Sequence, residues 1–546
     1  MKITYKDEVI TCKKGMTISE ILKKQIEENK YTVVGAKFNN EYKNLNSQIN
    51  EDGNIDLVDI SQKEGTKIYR RTLIYVMGMA FEKIVPDALI TVDYQLSNEM
   101  FCEAENVKVT KELIAEVKEK MQELIDKNLK IEKRVMTRAE AQKFYDETGT
   151  IRGKLQLDFK DNKEIHMYFC NDYYNYSYGT LANRTSCIHA FDLVTYGKGF
   201  LIRYPSTSSI GKVPKHIKNK KLAWSLDEYK QIHRLLSINT VYKLNKAILE
   251  DKAQDVIMLS EALHEKNIAK IADKIIKKKD VKVILIAGPS SSGKTTFAQR
   301  LGIQLRLNGL KPVTISVDNY FVERPNTPLD ENGEYDFDCL EAIDLELFNK
   351  DIDKLLNGKE IEMPEFDFLV GTKRYNGRKM RLDEDQILVI EGIHCLNDEL
   401  TKKISNDKKY KIYTSALTVL NMDYYNRIST TDNRLIRRIV RDYNYRGYSA
   451  KSTLATWHKV NRAEEKNIFP YQESADTIFN TSLIYELAAL KPAAMPLLEA
   501  IGKDEPEYAE ARRLINILKY FEPIKQEDVP RNSLLREFLG GSSFYC

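Results

Sequence analysis

The chain has 546 residues, which is enough for about three or four domains of ordinary size. Hydrophobic residues make up 42% of it and charged residues 30%, as in water-soluble globular proteins. The net charge of only +4 gives no bulk electrostatic reason to expect a nucleic-acid or membrane partner. Seven scattered cysteines without a C-x-x-C pair predict neither a disulfide framework nor a zinc ribbon.

The first residues of the chain are not followed by the apolar stretch that marks a signal peptide. No apolar run approaches the ~20 residues that a membrane-spanning helix needs. We therefore expect a cytoplasmic protein whose cysteines are reduced.

The first half of the sequence predicts three units. Residues 1–62 form a small α+β unit, with strands at 3–5 and 9–11 and a helix over 17–24. Residues 63–225 form a second mixed region, in which 111–128 has helical periodicity and 197–204 is typical of a turn and a strand. Residues 226–280 are predicted to be a helical connector. It ends at a lysine run that marks a domain boundary or simply a solvated helix end.

From residue 281 the pattern changes to apolar runs that alternate with helical segments. The runs at 281–287, 313–317 and 387–390 are typical of strands buried on both faces. Strands that alternate with helices indicate an α/β fold with a doubly wound parallel sheet. We expect this sheet within residues 281–490, followed by a C-terminal extension over 491–546.

The stretch after the first of these strands has the pattern G-x-x-x-x-G-K-[ST]. Its members are Gly288, Pro289, Ser290, Ser291, Ser292, Gly293, Lys294 and Thr295. In such a loop the backbone N–H groups point at phosphate oxygens, Lys294 adds a positive charge beside the β- and γ-phosphates, and Thr295 offers a hydroxyl to Mg²⁺. The alternative is a Ser/Gly-rich turn with a capping threonine. The strand before the loop and the helical pattern after it favour a P-loop that binds ATP and Mg²⁺.

The other two predicted strands run into carboxylates, Asp318 and Glu391. Ligands of open α/β sheets bind beyond the carboxyl ends of the strands, so both carboxylates are expected at the rim that carries the P-loop. In phosphoryl transfer one carboxylate accepts the proton of the attacking hydroxyl and another holds Mg²⁺. Taken singly, each carboxylate also suits a helix N-cap.

Four arginines follow at the spacing i, i+3, i+4, i+7, which puts Arg434, Arg437, Arg438 and Arg441 on one side of a helix. Like charges at this spacing destabilise an isolated helix, and a bound anion such as a transferring phosphate explains them. The alternative is a surface helix whose charges are balanced by Asp432 and Asp442.

Together these motifs resemble the uridine kinase and phosphoribulokinase family over about residues 281–480. The matching stretches are GPSSSGKTT at 288–296, SVDNYF at 316–321, YDFD at 335–338, PEFDF at 364–368, EGI at 391–393 and RLIRRIVRD at 434–442, followed by RG at 446–447. Six motifs in the right order are far more specific than a P-loop alone.

The resemblance implies an ATP-dependent phosphotransferase with an alcohol acceptor. It makes Asp318 the base that faces the acceptor hydroxyl, Asp338 the group that holds ribose hydroxyls, and Glu391 a neighbour of the magnesium. The remaining implied contacts are Thr296, Arg437 and Arg438 with the phosphates, Arg434 with the acceptor, and Phe366 and Phe368 as walls of a base pocket.

One position departs from the family pattern. Uridine–cytidine kinases carry Y-D-F-x-x-H-x-R, in which the histidine reads the pyrimidine edge. This chain has Gly371 at that position, and its stretch to Arg374 is one residue longer. Because a pocket without that donor loses selectivity for a base, a nucleoside kinase is better supported than a uridine kinase.

The first part of the chain has a second, weaker resemblance. Through the turn Gly15-Met16-Thr17 and a strand at 31–38, residues 1–62 resemble the TGS domain of threonyl-tRNA synthetases. Residues 63–205 resemble the editing-type second domain of those enzymes. That domain holds zinc with histidine and cysteine ligands, whereas this chain has Tyr75 and Met79 in place of the first pair and, in a looser alignment, Ser177 and Leu181 in place of the second. We expect a degenerate domain without zinc.

The chain also resembles bacterial chains that join such N-terminal domains to a kinase, including in its stretches at 480–487 and 531–541. We therefore expect transfer of the γ-phosphate of ATP to the 5′-hydroxyl of a nucleoside. One rival is a kinase for a sugar-phosphate acceptor. Another is a nucleotide-dependent regulator that binds RNA or the ribosome through the TGS-like domain, and the oligomeric state stays open.

Overall fold

The chain begins with a small mixed unit in the computed structural model, which describes residues 1–149, 154–158, 165–331, 333–367 and 370–544. The unit contains β1 (Lys2–Tyr5), β2 (Glu8–Thr11), α1 (Ile18–Ile21), α2 (Lys23–Glu27), β3 (Val33–Phe38), β4 (Glu41–Lys43) and β5 (Gly53–Asp59). Its sheet has the order β2-β1-β5-β3-β4. The two predicted strands are confirmed. The predicted helix is two short helices, because the chain leaves helical geometry at Leu22, whose side chain is buried in the core of this unit.

The second region combines a long buried helix with two antiparallel sheets. It contains α3 (Lys63–Ile84), β6 (Leu89–Leu96), β7 (Glu99–Glu105), α4 (Lys111–Asp126), β8 (Glu132–Met136), α5 (Arg138–Thr148), α6 (Lys154–Leu157), β9 (Ile165–Cys170), β10 (Tyr173–Tyr176), β11 (Asp192–Tyr196) and β12 (Gly199–Arg203). The sheets have the orders β11-β12-β7-β6 and β10-β9-β8. The helix predicted near 111–128 and the strand predicted near 197–204 are both confirmed.

Three helices follow: α7 (Lys220–Leu235), α8 (Val241–Leu249) and α9 (Ala253–Lys277). The first begins a few residues before the predicted helical segment. The apolar face of α9, with Ile268, Ile271 and Ile275, is buried against Ile284 and Ile286 of the next strand. This helix therefore covers one face of the following sheet.

The second half of the chain contains a five-stranded parallel sheet. Its elements are β13 (Val283–Ala287), α10 (Lys294–Leu307), β14 (Lys311–Ser316), α11 (Leu345–Leu356), β15 (Ile361–Asp367), β16 (Thr372–Met380), β17 (Gln386–Glu391), β18 (Lys409–Ser415), α12 (Thr430–Arg446), α13 (Ala450–Asn467) and β19 (Thr477–Asn480). The order is β14-β17-β13-β18-β19, and each neighbouring pair is parallel. Alternate residues of β13 belong to different apolar clusters, so both faces of the sheet are covered. The predicted α/β fold is thus confirmed.

The chain ends with α14 (Glu486–Glu499), α15 (Tyr508–Leu518) and α16 (Arg536–Leu539). Leu514, Leu534 and Phe538 share one apolar cluster with Leu435 and Ile439 of α12, so this last segment packs against the arginine-bearing helix. Across the described ranges, no helix combines the length and the hydrophobicity needed to cross a bilayer.

Candidate active site

The loop between β13 and α10 has a backbone that requires glycine. Gly293 has a φ of +80°, in the left-handed region that other residues rarely adopt. A Cβ on Gly288 would lie 2.1 Å from the carbonyl oxygen of Thr414. The curled loop thus lies directly at the end of the central strand and before the helix N-terminus, as in an anion-binding P-loop.

The side chain of Lys294 lies along this loop. Its Nζ donates to the carbonyl oxygens of Gly288, at 3.0 Å, and Pro289, at 3.3 Å. Thr295 is half-buried in the first turn of α10. The lysine ammonium is therefore held beside the loop that would surround a phosphate chain.

Two carboxylates share the rim with the lysine. Glu391 ends β17, in register with Ser316 at the end of β14. Asp318 follows on a short 3-10 turn, Val317–Tyr320, so its strand ends two residues earlier than the carboxylate. The charges of Asp318 and Lys294 both act on Glu391, which shows that the three groups lie close together.

Burial and repulsion hold a proton on this pair near neutral pH. The pKa of Glu391 is raised to about 7, chiefly because burial disfavours the charged carboxylate and also because Asp318 repels it. The pKa of Asp318 is raised as well, because the surrounding protein weakens the hydration of the charged carboxylate, although the residue keeps contact with solvent. The positive charges of Lys294 and Arg446 lower this pKa in part. Two carboxyls perturbed in this way are typical of proton-transfer and metal sites.

Asp338 lies on the same side of the sheet. Burial first, and then repulsion by Asp336, raise the pKa of Asp338 to about 6, while Arg438 pulls it down. Asp318 adds a smaller repulsion to that of Asp336. Asp338 is thus within electrostatic reach of the rim, as the role of a hydroxyl-binding group requires.

Two of the four helical arginines are buried behind the loop. The side chains of Arg434 and Arg437 are only 1% and 0% exposed, and they form ion pairs with Glu464 and Glu486. Nε of Arg434 also donates to the Ser290 carbonyl oxygen at 2.9 Å. Their donors are thus used to hold the P-loop and the helices around it.

The other two arginines lie nearer the surface. Nη1 of Arg438 donates to the Ser290 hydroxyl at 3.0 Å, and its Nε donates to Asp442 at 3.1 Å. Arg441 also donates to Asp442, at 2.9 Å. The alternative interpretation of the sequence was that Asp432 and Asp442 balance the arginine charges. The structure confirms this for Asp442, which pairs with Arg438 and Arg441.

Replacing Arg437 with methionine is expected to lower the free energy of unfolding by about 3–5 kcal/mol, because the Glu486 charge stays buried without its partner. The matched change Arg438→Met is expected to cost clearly less, because Asp442 keeps its ion pairs with Arg441 and Arg446. Denaturant unfolding followed by circular dichroism measures both. Equal losses would contradict the structural role of Arg437.

The hairpin of β15 and β16 packs against the 3-10 turn that carries Asp318. Phe366 is buried there, with its ring 5.6 Å from that of Phe321, while Phe368 lies outside the described residues. Gly371 has a φ of +80°, and a Cβ on it would lie 2.7 Å from Nε of Arg324. Arg324 thus fills the space that a histidine side chain at position 371 would need. Sequence reasoning missed it, because no local motif links two residues 47 positions apart.

The C-terminal segment also reaches the P-loop. Glu537 accepts a hydrogen bond from the Thr296 hydroxyl at 2.7 Å and another from the Thr296 N–H at 3.3 Å. A Cβ on Gly293 would lie 2.6 Å from the Leu534 side chain. The residues after 530 therefore form an outer wall of the loop, which the sequence pattern did not predict.

The positions compared with a zinc site lie in the core of the second region. The Tyr75 hydroxyl donates to backbone carbonyls of Tyr168 and Tyr173, at 3.0 and 3.2 Å, and Met79 is buried. The Ser177 hydroxyl donates to the carbonyl of Gly179 at 2.9 Å, and Leu181 is apolar and buried. This local network already uses the polar atoms at these positions.

We predict that the purified protein holds no tightly bound zinc and deacylates no tRNA, because a catalytic zinc needs three protein ligands and an open position. Elemental analysis after dialysis measures the metal content. Residues 63–205 contain two histidines, His166 and His189. About one zinc per chain that is lost on replacing either of them would contradict the prediction.

Comparison with known proteins matches residues 283–485 to the model of the "Phosphoribulokinase / Uridine kinase family". The chain is 29% identical over 197 residues to a uridine kinase of Halalkalibacterium halodurans, covering 36% of this chain and 84% of that protein. It is 32% identical over 178 residues to a uridine kinase of Mycoplasma genitalium, covering 33% and 74%. It is also 26% identical over 198 residues to a threonine–tRNA ligase of Clostridium tetani, covering 36% of this chain and 31% of the ligase.

Proposed function

Because the chain belongs, through residues 283–485, to the phosphoribulokinase and uridine kinase family, we propose that it transfers the γ-phosphoryl group of ATP to the 5′-hydroxyl of a nucleoside. The observation that carries this proposal is the rim on which the charges of Lys294, Asp318 and Glu391 act on one another beside a P-loop. A lysine, a base and a metal-binding carboxylate are the groups that phosphoryl transfer requires.

In this proposal Asp318 accepts the proton of the acceptor hydroxyl, whose oxygen attacks the γ-phosphorus while the bond to the bridging oxygen of ADP breaks. Lys294 stabilises the charge that spreads over the phosphoryl oxygens. Asp338 orients the sugar hydroxyls, and Phe366 forms part of the base pocket. Arg434 and Arg437 can hold the P-loop in the conformation seen here. To contact the acceptor or the phosphates directly, they would first have to break their buried ion pairs with Glu464 and Glu486. Arg438 already contacts the loop at Ser290.

The donor atoms on the rim suit magnesium. Thr295 and Glu391 offer oxygen ligands, which Mg²⁺ prefers, and it is usually held by one or two carboxylates together with substrate phosphates. The described ranges contain no cluster of three or more His, Cys, Asp or Glu side chains arranged for a metal ion. When bound, the ion would neutralise part of the charge of the phosphate chain.

The proposal is tested by a screen of nucleosides and sugar phosphates for acceptor-dependent release of ADP. We expect release with nucleosides, and a parallel preparation of the Lys294→Ala variant controls for contaminating kinases. ADP release that requires RNA and no small acceptor would contradict the proposal and favour a nucleotide-dependent regulator.

A second candidate, a kinase for a phosphorylated sugar, is favoured by one observation. The Arg324 side chain lies against the hairpin, and the Arg324 N–H donates to the Gly371 carbonyl at 2.9 Å. A cation at this place suits an anionic acceptor. In the same screen, Arg324→Gln would then weaken the response to sugar phosphates and leave the response to nucleosides unchanged.

The rate is expected to fall as the pH drops through about 7. The carboxylate that acts as a base must be unprotonated, and the raised pKa values of Asp318 and Glu391 keep a proton on the pair below neutrality. The decrease of kcat/KM at acidic pH therefore reports the titration of Asp318 and Glu391 together and not of one residue. Glu391→Gln removes the repulsion and should move that decrease to lower pH. An unchanged or higher midpoint would contradict the coupling.

We further propose that residues 1–62 and 63–225 form TGS-like and editing-like units without zinc chemistry, which serve in docking, dimerisation or substrate sensing. The hydroxyl of Tyr229 on α7 donates to the carbonyl of Asn480 at the end of β19, at 3.0 Å, so α7 lies against the edge of the kinase sheet. The helices over 226–280 thus offer a physical link between the two halves.

A further inference from the structure

A cavity of about 50 Å³ lies between the second region and the kinase part of the chain. Its walls come from α3, from residues 175–181 and from the loop 425–429 that precedes α12. Because a buried water needs about 10–15 Å³, the cavity has room for a few waters or for one tetrahedral oxyanion group. None of its lining residues belongs to the candidate active site.

The wall of this cavity is strongly positive. The ionisable side chains among its lining residues include Arg70, Arg71 and Arg427, whereas no aspartate or glutamate is found in the lining. The other polar groups are hydrogen-bonding side chains: Tyr75, Asn175, Tyr176, Ser177, Tyr178, Tyr425, Asn426 and Ser429. Three guanidinium groups without a carboxylate in the same wall are expected to attract an anion.

Arg427 is the least compensated of the three. Its Nε is shut off from solvent and has no hydrogen-bond partner among the described residues. Burial first, and then the charge of Arg70, lower the pKa of Arg427 to about 10, against smaller opposing effects of Tyr204, Tyr178 and Asp432. A buried donor of this kind normally has a partner.

The neighbouring acids are already engaged. Asp432 accepts hydrogen bonds from Arg513 at 2.8 and 2.6 Å, and this pair helps to lower the pKa of Asp432. Glu64 lies 3.0 Å from Lys67 and 3.4 Å from Arg71. The charge of Arg71 is thus partly balanced, while Arg70 and Arg427 leave a surplus of about two positive charges facing the cavity.

We propose that this cavity binds a phosphate group, either as inorganic phosphate or as a phosphate monoester. A phosphate monoester carries about −1.5 to −2 charges at neutral pH and three acceptor oxygens, which match the surplus of charge and the guanidinium donors. A carboxylate would neutralise only one of the two charges. The site is independent of the proposed reaction.

The bound phosphate group would touch both halves of the chain. Arg70 lies on α3, whereas Arg427 and Ser429 precede α12, and Ser429 caps that helix by accepting from the Asp432 N–H at 3.0 Å. The same helix carries Arg434 and Arg438 to the P-loop. Occupancy of the cavity therefore joins the N-terminal region to the helix that holds the nucleotide loop.

The test is a calorimetric titration of the full chain with inorganic phosphate, in a Lys294→Ala background that weakens phosphate binding at the P-loop. We expect one site per chain, and Arg427→Gln should weaken it by about 10–100-fold, the equivalent of one hydrogen bond to a charged group. Arg184→Gln, which removes an exposed arginine of the same region, should leave the affinity unchanged. The titration is repeated with phenyl phosphate. Tighter binding of phenyl phosphate than of inorganic phosphate would indicate that the site takes a phosphate monoester, and weaker binding would indicate the free ion.

An affinity that is equal in Arg427→Gln and its parent, or no binding in the parent, would overturn the proposal. Because Arg427→Gln could fail to fold, a second measurement uses the unmodified protein: crystals soaked in tungstate, a phosphate mimic that scatters anomalously. We expect an anomalous peak between Arg70 and Arg427. A peak at the P-loop with none in the cavity would contradict the site.

Discussion

Replacing Lys294 with alanine is expected to lower turnover by at least about 10²–10³-fold, the loss typical when one group that stabilises transition-state charge is removed. The ammonium of Lys294 lies beside the loop and is the cation that acts directly on both Asp318 and Glu391. Without it, the loop loses the cation expected to stabilise the transferred phosphoryl group, and the two carboxylates lose a favourable neighbour.

The protein itself should stay folded. Among the described residues, the hydrogen bonds of Lys294 Nζ go to two carbonyls of its own loop, at 3.0 and 3.3 Å, so the side chain does not tie the loop to another element by a hydrogen bond. The measurement is ADP release at saturating ATP and acceptor, with circular dichroism to check the fold. Lys282→Ala, an exposed lysine just before the same strand, is the matched control and should keep full turnover. Turnover close to that of the unmodified enzyme in Lys294→Ala would refute the assigned site.

Local spacing was sufficient to predict a loop between a strand and a helix at 288–293, and to predict that Glu391 ends its strand and that Asp318 follows closely after its own. Lys294 follows its strand by a few residues, and Glu391 ends its own strand. Parallel strands bring their carboxyl ends to one rim, so residues that follow neighbouring strands must meet there. The charge interactions among Lys294, Asp318 and Glu391 agree with that expectation.

Partners that are distant in sequence could not be predicted. The spacing of the arginines indicated that Arg434 and Arg437 share a helix face, but not that this face is buried against Glu464 and Glu486. The contact of Glu537 with Thr296 joins residues 241 positions apart, and no periodic pattern encodes it. Such contacts depend on how whole elements pack, whereas a motif reports only its own local backbone.

The cavity between the two halves illustrates the same limit. Arg70 and Arg71 are adjacent in the sequence, but Arg427 comes more than 350 residues later, and only the packing of α3 against the loop 425–429 brings the three together. In the sequence each is an ordinary arginine in a chain with a net charge of only +4. A nearly neutral total therefore conceals a local surplus of positive charge.

Asp318→Asn is the second change with a large expected effect. Asparagine keeps the shape of the side chain but cannot accept a proton, so kcat should fall by about 10²–10⁴-fold, the range for a lost general base. The affinity for ATP should change much less, because Asp318 stands on the 3-10 turn after β14 and not in the P-loop. The measurements are kcat from acceptor-dependent ADP release and the ATP dissociation constant from calorimetry.

The pattern of the two constants decides which role Asp318 has. A base that acts only on the acceptor hydroxyl lowers kcat and leaves ATP binding nearly intact, whereas a carboxylate that holds the metal lowers the affinity for ATP with Mg²⁺. Glu391→Gln is the matched comparison, since this neighbouring carboxylate is assigned to the metal and is expected to show the second pattern. If ATP binding collapsed in Asp318→Asn while the bound complex still turned over at a normal rate, the two assignments would have to be exchanged. If both variants kept full activity, the base would lie elsewhere, and Asp338, with its pKa raised to about 6 on the same side of the sheet, would be the next group to replace.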